Sequence, residues 1–319
     1  MKRFLASLIT VLALCAPTPA ALAEPMLNGN EGFPRNGFGP SQRSIYDAAF
    51  YEILHPGIAP EGTNDFSCKP AEGQRPVILI PGTTGSAYDS WAWMAPLLKR
   101  DGLCLFTFNT NPVYGVEQMG FAGDIRSSAA TLSAVVDAVL GATGASQVDL
   151  VGWSQGGGPL PTYYITQLGG AAKVNTVVGV VPSHKGTQFW LFYDLARLHP
   201  AIRTDYDRIG KMLNMQALAQ QLAGSELNQL LYTGTVAQPG VRYMNISTQF
   251  DTVVMPYTNA RIDEPGVDNR LIQDICPGRF VTHVSATYDK VVLDLVREGL
   301  GVAAPGTAAQ ECWQPVPLS

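Results

Sequence analysis

The sequence predicts an α/β fold: a mostly parallel central sheet, helices on both of its faces and a helical cap-like insertion. Three observations carry that expectation. Short apolar runs rich in β-branched residues recur along the chain, longer runs with helical spacing separate them, and one long stretch contains no good strand. Strands covered on both faces read as continuous apolar runs, and strands separated by helices close as a parallel sheet.

In chain order, the first 23 residues read as a secretory signal peptide. Lys2 and Arg3 open it, "FLASLITVLALCA" supplies the apolar run and Ala21-Leu22-Ala23 the cleavage site. The run is short for a retained membrane anchor, and Leu14 stands before Cys15 where a lipoprotein signal has a small residue. The mature chain is expected to begin near Glu24 and to be secreted as a single domain, 24–319, with a mainly helical insertion at about 187–240. Residues 24–45, rich in Gly, Pro and Asn, read as an arm.

Strands are expected at "PVILIPG" (76–82), "LCLFTFN" (103–109), "VDLVGW" (148–153), "VNTVVGVVP" (174–182) and "VRYMNIST" (241–248). Helices are expected at 122–144 and 287–301, each closed by glycine. Between Gly186 and Val241 lie "TQFWLFYDLARLHP" and "IGKMLNMQALAQQLAGSELNQLLYTG". An insertion of this size at the carboxyl edge of a sheet is where a lid sits; two ordinary packing helices read equally well.

Composition narrows the function classes. With 46% hydrophobic and 15% charged residues the chain builds a large core. Loss of Lys2 and Arg3 with the leader takes the net charge from −5 to −7. Without a Lys/Arg cluster, nucleic acid and anionic membranes are poor partners. Once Cys15 is removed, Cys68, Cys104, Cys276 and Cys312 remain, an even set that predicts disulfides in an exported chain. Three pairings are open. No C-x-x-C spacing points to zinc, and no metal or organic cofactor is implied.

The chemistry starts at "VDLVGWSQGGGPLP" (148–161). Gly152-Trp153-Ser154-Gln155-Gly156 is a G-x-S-x-G sequence directly after a strand and before a helical segment, the setting of a nucleophile elbow. The turn is so tight that the serine is strained and side chains two positions to either side collide; glycine at both positions removes the collision. The hydroxyl is lifted clear of the sheet at a helix N-terminus. Pro159 and Pro161 should make the start of that helix irregular.

Serine needs a base, and the base an orienting group. In this arrangement the acid and then the histidine follow the serine. Of four histidines, His55 precedes it, and His184 and His199 leave little room for a strand and an acid. His283, in "CPGRFVTHVSAT", remains. Asp251 follows an apolar strand and a polar turn; Asp263, Asp268 and Asp274 sit in polar sequence without a preceding strand and read as solvated loop charges. Oxyanion donors are expected from the N–H of Gln155 and from the turn Pro81-Gly82-Thr83-Thr84-Gly85. No G-K-[ST] follows that turn, so a phosphate loop is excluded.

In "LIPGTTG", "GWSQGG", "VVPSHKGT", "STQFDTVVMPYT" and "DICPGRFVTHVS" the chain resembles α/β-hydrolases of the Candida antarctica lipase B type, and more closely the bacterial secreted class 2 lipases, over roughly residues 68 to 315. The resemblance implies the α/β-hydrolase fold, a Ser154–Asp251–His283 triad and an oxyanion hole of Thr83 and Gln155, the threonine donating both N–H and hydroxyl. It also implies the pairs Cys68–Cys104 and Cys276–Cys312. By the same comparison Trp153 shapes an alcohol-side pocket, although it also reads as a core tryptophan at a strand end, while Ser183 and Gln221 line the acyl side. Two positions depart: many bacterial relatives have His-Gly at Pro81-Gly82, and the fungal type has aspartate at Ser183. The expected activity is hydrolysis of carboxylic esters, triacylglycerol or other lipid-like esters foremost, with an oil–water interface as a further partner and no protein partner implied. An acyltransferase on the same fold, or a secreted binding protein that has lost activity, are the alternatives.

Overall fold

The computed structural model describes residues 31–188 and 200–315. The leader 1–23, the "FWLF" segment and His199 therefore lie outside the described residues. Two short strands, β1 (Phe38–Gly39) and β2 (Ala59–Pro60), pair in parallel beside helix α1 (Ile45–Leu54). The main sheet consists of β3 (Val77–Ile80), β4 (Leu105–Thr107), β5 (Val148–Trp153), β6 (Val174–Val180), β7 (Arg242–Ser247) and β8 (Val267–Leu271). Its spatial order is β4-β3-β5-β6-β7-β8, and every pairing within it is parallel.

Residue alternation along the strands divides the core in two. Ile78 and Ile80 join Phe106, Leu150 and Val177 on one face, against Leu132, Val136 and Val139 of α4 (Ile125–Thr143). Val77 and Leu79 join Leu105, Val151 and Val178 on the other, against Leu98 of α3 (Met94–Arg100), which follows α2 (Ala87–Trp91), and against Val292 and Leu295 near the C-terminus. All four residues of β3 are fully buried. Burial on both faces is why this strand carries no polar residue.

Asp124 caps α4 by accepting from the N–H of Arg126, and Gly144, at φ 76°, ends it in the left-handed region. The proline expectation is met in a specific way. A 3-10 turn over Ser154–Gly157 ends at Gly158, and a separate helix, α5 (Pro159–Gln167), begins with Pro159 in its first turn, where a missing N–H costs nothing. Between β6 and β7 come α6 (Pro200–Leu213), α7 (Gln216–Gln220) and α8 (Glu226–Tyr232). After β8 follow α9 (Ile272–Ile275) and α10 (Lys290–Leu300).

Two expectations are corrected: Asp268 does not sit in a loop but in β8, paired with β7, and Asp274 sits not in a loop but in α9, directly after that strand. "VDNRL" carries no apolar strand signature because it lies on the sheet edge, where all five residues are only half-buried and polar side chains are tolerated.

The chain leaves β3 for β4 on one side and returns to β5 on the other. The loops after β3 and β5 therefore meet at the carboxyl edge, where the strand order reverses and open parallel sheets form their crevice.

Candidate active site

Ser154 follows the last residue of β5 with φ 56°, in the left-handed region that a side chain rarely enters. The flanking glycines have the steric reason the sequence predicted. A Cβ on Gly152 would overlap the carbonyl oxygen of Gly156, and one on Gly156 would overlap the carbonyl oxygens of Ile80 and Pro81. The turn thus packs backbone against backbone, with no room for a methyl group.

The loop after β3 approaches equally closely. A Cβ on Gly82 would lie 2.8 Å from the Trp153 ring and 3.2 Å from Ser154 Cβ, so glycine there lets Thr83 stand beside the serine turn. Strain gathers here. Thr84 (φ 60°), Phe121 (φ 55°) and Val181 (φ 43°) are also left-handed without being glycine. The Phe121 carbonyl accepts from Gln155 Nε2, and Val181 precedes Ser183 by two residues. Such residues persist only where the surroundings over-determine them.

Asp251 follows β7 and His283 lies beyond α9. Asp251 Oδ2 is 2.9 Å from His283 Nδ1, and both side chains are buried. The other carboxylate oxygen accepts from the N–H groups of Val253 at 2.8 Å and Val254 at 2.7 Å, which fixes the carboxylate plane. The main chain of His283 is also held from the serine side. Trp153 Nε1 donates to the His283 carbonyl at 2.9 Å, and the two ring centroids are 5.7 Å apart. Trp153 is therefore a largely buried tether between β5 and the histidine loop.

Gln273 links two of the loops that form the site. Its Nε2 donates to Thr248 Oγ1 and to the Arg279 carbonyl, and its Oε1 accepts from Gln249 N–H, joining the aspartate loop to the histidine loop. Nothing in the sequence around it distinguishes it from other glutamines.

The remaining acids and histidines lie elsewhere. Asp263 pairs with Lys185 and Arg261, Asp268 pairs with Arg270, and Asp274 is exposed. His55 is exposed and stacks on Tyr51. His184 is buried with Nε2 2.8 Å from Asn245 Oδ1, and burial pushes its pKa down to about 4, so it stays neutral.

Thr83 Oγ1 lies 2.8 Å from Gln155 Nε2 and 2.7 Å from Gln221 Nε2. Ser183 Oγ donates to Gln221 Oε1 at 2.7 Å. The residues expected at the oxyanion hole and on the acyl side thus form one hydrogen-bonded group. Disulfides join Cys68 to Cys104 and Cys276 to Cys312, each spanning 36 positions, one around the Thr83 loop and one around His283.

A family model described as alpha/beta hydrolase fold matches residues 75–259, more than half of the chain. The chain belongs to that α/β-hydrolase family. Among solved structures it is similar to Aspergillus fumigatus lipase B, with a TM-score of 0.60 and 19% identity over 88% of this chain. It spans 66% of that fungal chain, just under two thirds. It is also similar to the mature form of Bacillus licheniformis lipase BlEst2, with a TM-score of 0.53, 17% identity, and coverage of 72% of this chain and 94% of that one.

Proposed function

We propose that the protein is a secreted serine hydrolase of carboxylic esters that works through an acyl-enzyme. The observation that carries this reading is a pairing: a strained serine at the end of a central strand, and a buried histidine already bonded to a carboxylate whose other oxygen is fully engaged. Membership of the α/β-hydrolase family supports the same chemistry.

In this reading Ser154 Oγ attacks the ester carbonyl carbon while His283 Nε2, the ring nitrogen not engaged by Asp251, takes the serine proton. The tetrahedral oxyanion collects hydrogen bonds from the N–H of Gln155 and from Thr83. Collapse breaks the bond to the alcohol oxygen, which leaves with the proton from His283. Water then repeats the sequence on the acyl-serine, releasing the acid and restoring the serine. Asp251 keeps the imidazole oriented and balances its charge while it is protonated.

Lipid-like esters are the substrate class of this reading. It draws on the sequence resemblance and on the likeness to two proteins that are themselves lipases. Export is supported by the signal-like leader and by two disulfides, which persist in oxidising surroundings.

The test is direct. Ser154→Ala should reduce p-nitrophenyl ester hydrolysis to a residual level, and a fluorophosphonate probe should label Ser154 alone. Near-normal turnover by Ser154→Ala would place the nucleophile elsewhere.

A further inference from the structure

We propose that Gln221 and Ser183 are positioning residues for the Thr83 hydroxyl: they act by aiming its proton into the site, not by binding the acyl chain. The inference rests on the reading of Ser154 and Thr83 given above and deepens it.

A threonine hydroxyl has one proton to donate and two lone pairs to receive. Thr83 Oγ1 lies within hydrogen-bond distance of two side-chain amides, Gln155 and Gln221. Which end of each amide faces it is settled by a second contact. Gln155 Nε2 also lies 2.8 Å from the Phe121 carbonyl, and Gln221 Nε2 3.0 Å from the Ala217 carbonyl. Carbonyl oxygens only accept, so both atoms are nitrogens and both donate to Thr83. Turning the Gln155 amide over would press oxygen against the Phe121 carbonyl. It keeps its orientation although its buried Oε1 has no partner among the described residues.

Both lone pairs of Thr83 are thereby occupied. No described residue takes its proton, which must point away from the two amides. A donor fixed before the reaction needs no reorientation as charge develops, which is what makes an oxyanion donor effective.

Gln221 is held in turn. Ser183 Oγ donates to its Oε1, its backbone N–H bonds the Ala217 carbonyl, and its own carbonyl accepts from Thr187 N–H at 2.8 Å. Gln221 is 7% exposed and Ser183 3%, which leaves little surface with which to line a pocket. The segment between β6 and β7 so reaches across 138 positions of sequence to set one hydroxyl.

The experiment is a double-mutant cycle on a soluble p-nitrophenyl ester, read as kcat and KM, with Ser154→Ala as reference. Thr83→Val should lower kcat by about 10²-fold, the order expected for losing one oxyanion donor. Gln221→Leu frees one lone pair and should lower kcat by about tenfold at unchanged KM, the signature of an interaction made in the transition state. In the Thr83→Val background, Gln221→Leu should cost less than about twofold, because the proton it aims is gone. Should Gln221→Leu fail to fold, Ser183→Ala, which frees the far end of the same amide, reads the same coupling. A Gln221 penalty that persists without the Thr83 hydroxyl, or one that appears in KM alone, would overturn the proposal. Those outcomes with an inactive Ser154→Ala sink the positioning role only; a Ser154→Ala variant that still turns over sinks the reading beneath it as well.

Discussion

Asp251 Oδ2 lies 2.9 Å from His283 Nδ1, while Asp251 Oδ1 accepts two backbone N–H groups of its own loop. The carboxylate is thus held by its own loop as well as by the ring, and in the mechanism proposed above the ring's other nitrogen, Nε2, is the atom that takes the serine proton. Asp251→Asn keeps the shape but offers an amide where the ring needs an acceptor. It should lower kcat by roughly 10⁴-fold, the scale seen when a triad base is held in the wrong tautomer. Steady-state kinetics beside an unchanged circular dichroism spectrum check this.

Arg279 and Asp289 form a buried ion pair at 2.7 Å, with side chains 2% and 0% exposed. Asp289 also caps α10, and Arg279 donates to the carbonyls of Glu311, Cys312 and Gln314. Arg279→Met leaves a buried carboxylate without its cation, and the cost should be about 3–5 kcal/mol in urea unfolding. Loss below 1 kcal/mol would contradict the burial of Asp289.

Behind the Thr83 loop, Glu52 is buried and accepts from Ser86 Oγ at 2.5 Å. Burial, with the nearby Asp89 charge, pushes its pKa up to about 8; burial pushes Asp89 up to about 7. Between the ordinary carboxylate range and these values the folded state holds more protons than the unfolded chain, so stability falls as pH rises. The contribution is complete below about pH 4.5 and is lost through about pH 8. Glu52→Gln should flatten the decline in Tm from pH 5 to 8, which a scanning calorimetry series reads directly.

Each disulfide closes a span of 36 positions. In the chain-entropy model a loop of this size contributes about 3–4 kcal/mol. Cys68→Ser with Cys104→Ser should lower the urea midpoint accordingly, and the other pair by a similar amount.

Methylating the serine turn should be as damaging as the overlaps require. Gly156→Ala sets a Cβ against two carbonyl oxygens of the neighbouring strand end, which cannot move without disturbing β3. Loss of soluble folded protein, or of ester turnover by more than about 10²-fold, is expected from strain at a packed backbone site. Near-normal activity would show that the turn yields.

Much of this protein was legible in its residues one stretch at a time. Apolar runs marked five sheet strands because burial on both faces leaves polar residues no place there, and the glycines around Ser154 recorded a local steric demand. Scarcity singled out His283, and a strand followed by a polar turn singled out Asp251. The sixth strand, Val267–Leu271, escaped because an edge position relaxes that demand. What only the tertiary structure decided are relations between side chains far apart in the chain: Gln273 linking the aspartate and histidine loops, Trp153 holding the His283 carbonyl, two glutamine amides closing on Thr83. Periodicity reports which face of an element is buried, whereas a hydrogen bond across 138 positions depends on where the folded chain returns, and no local pattern encodes that.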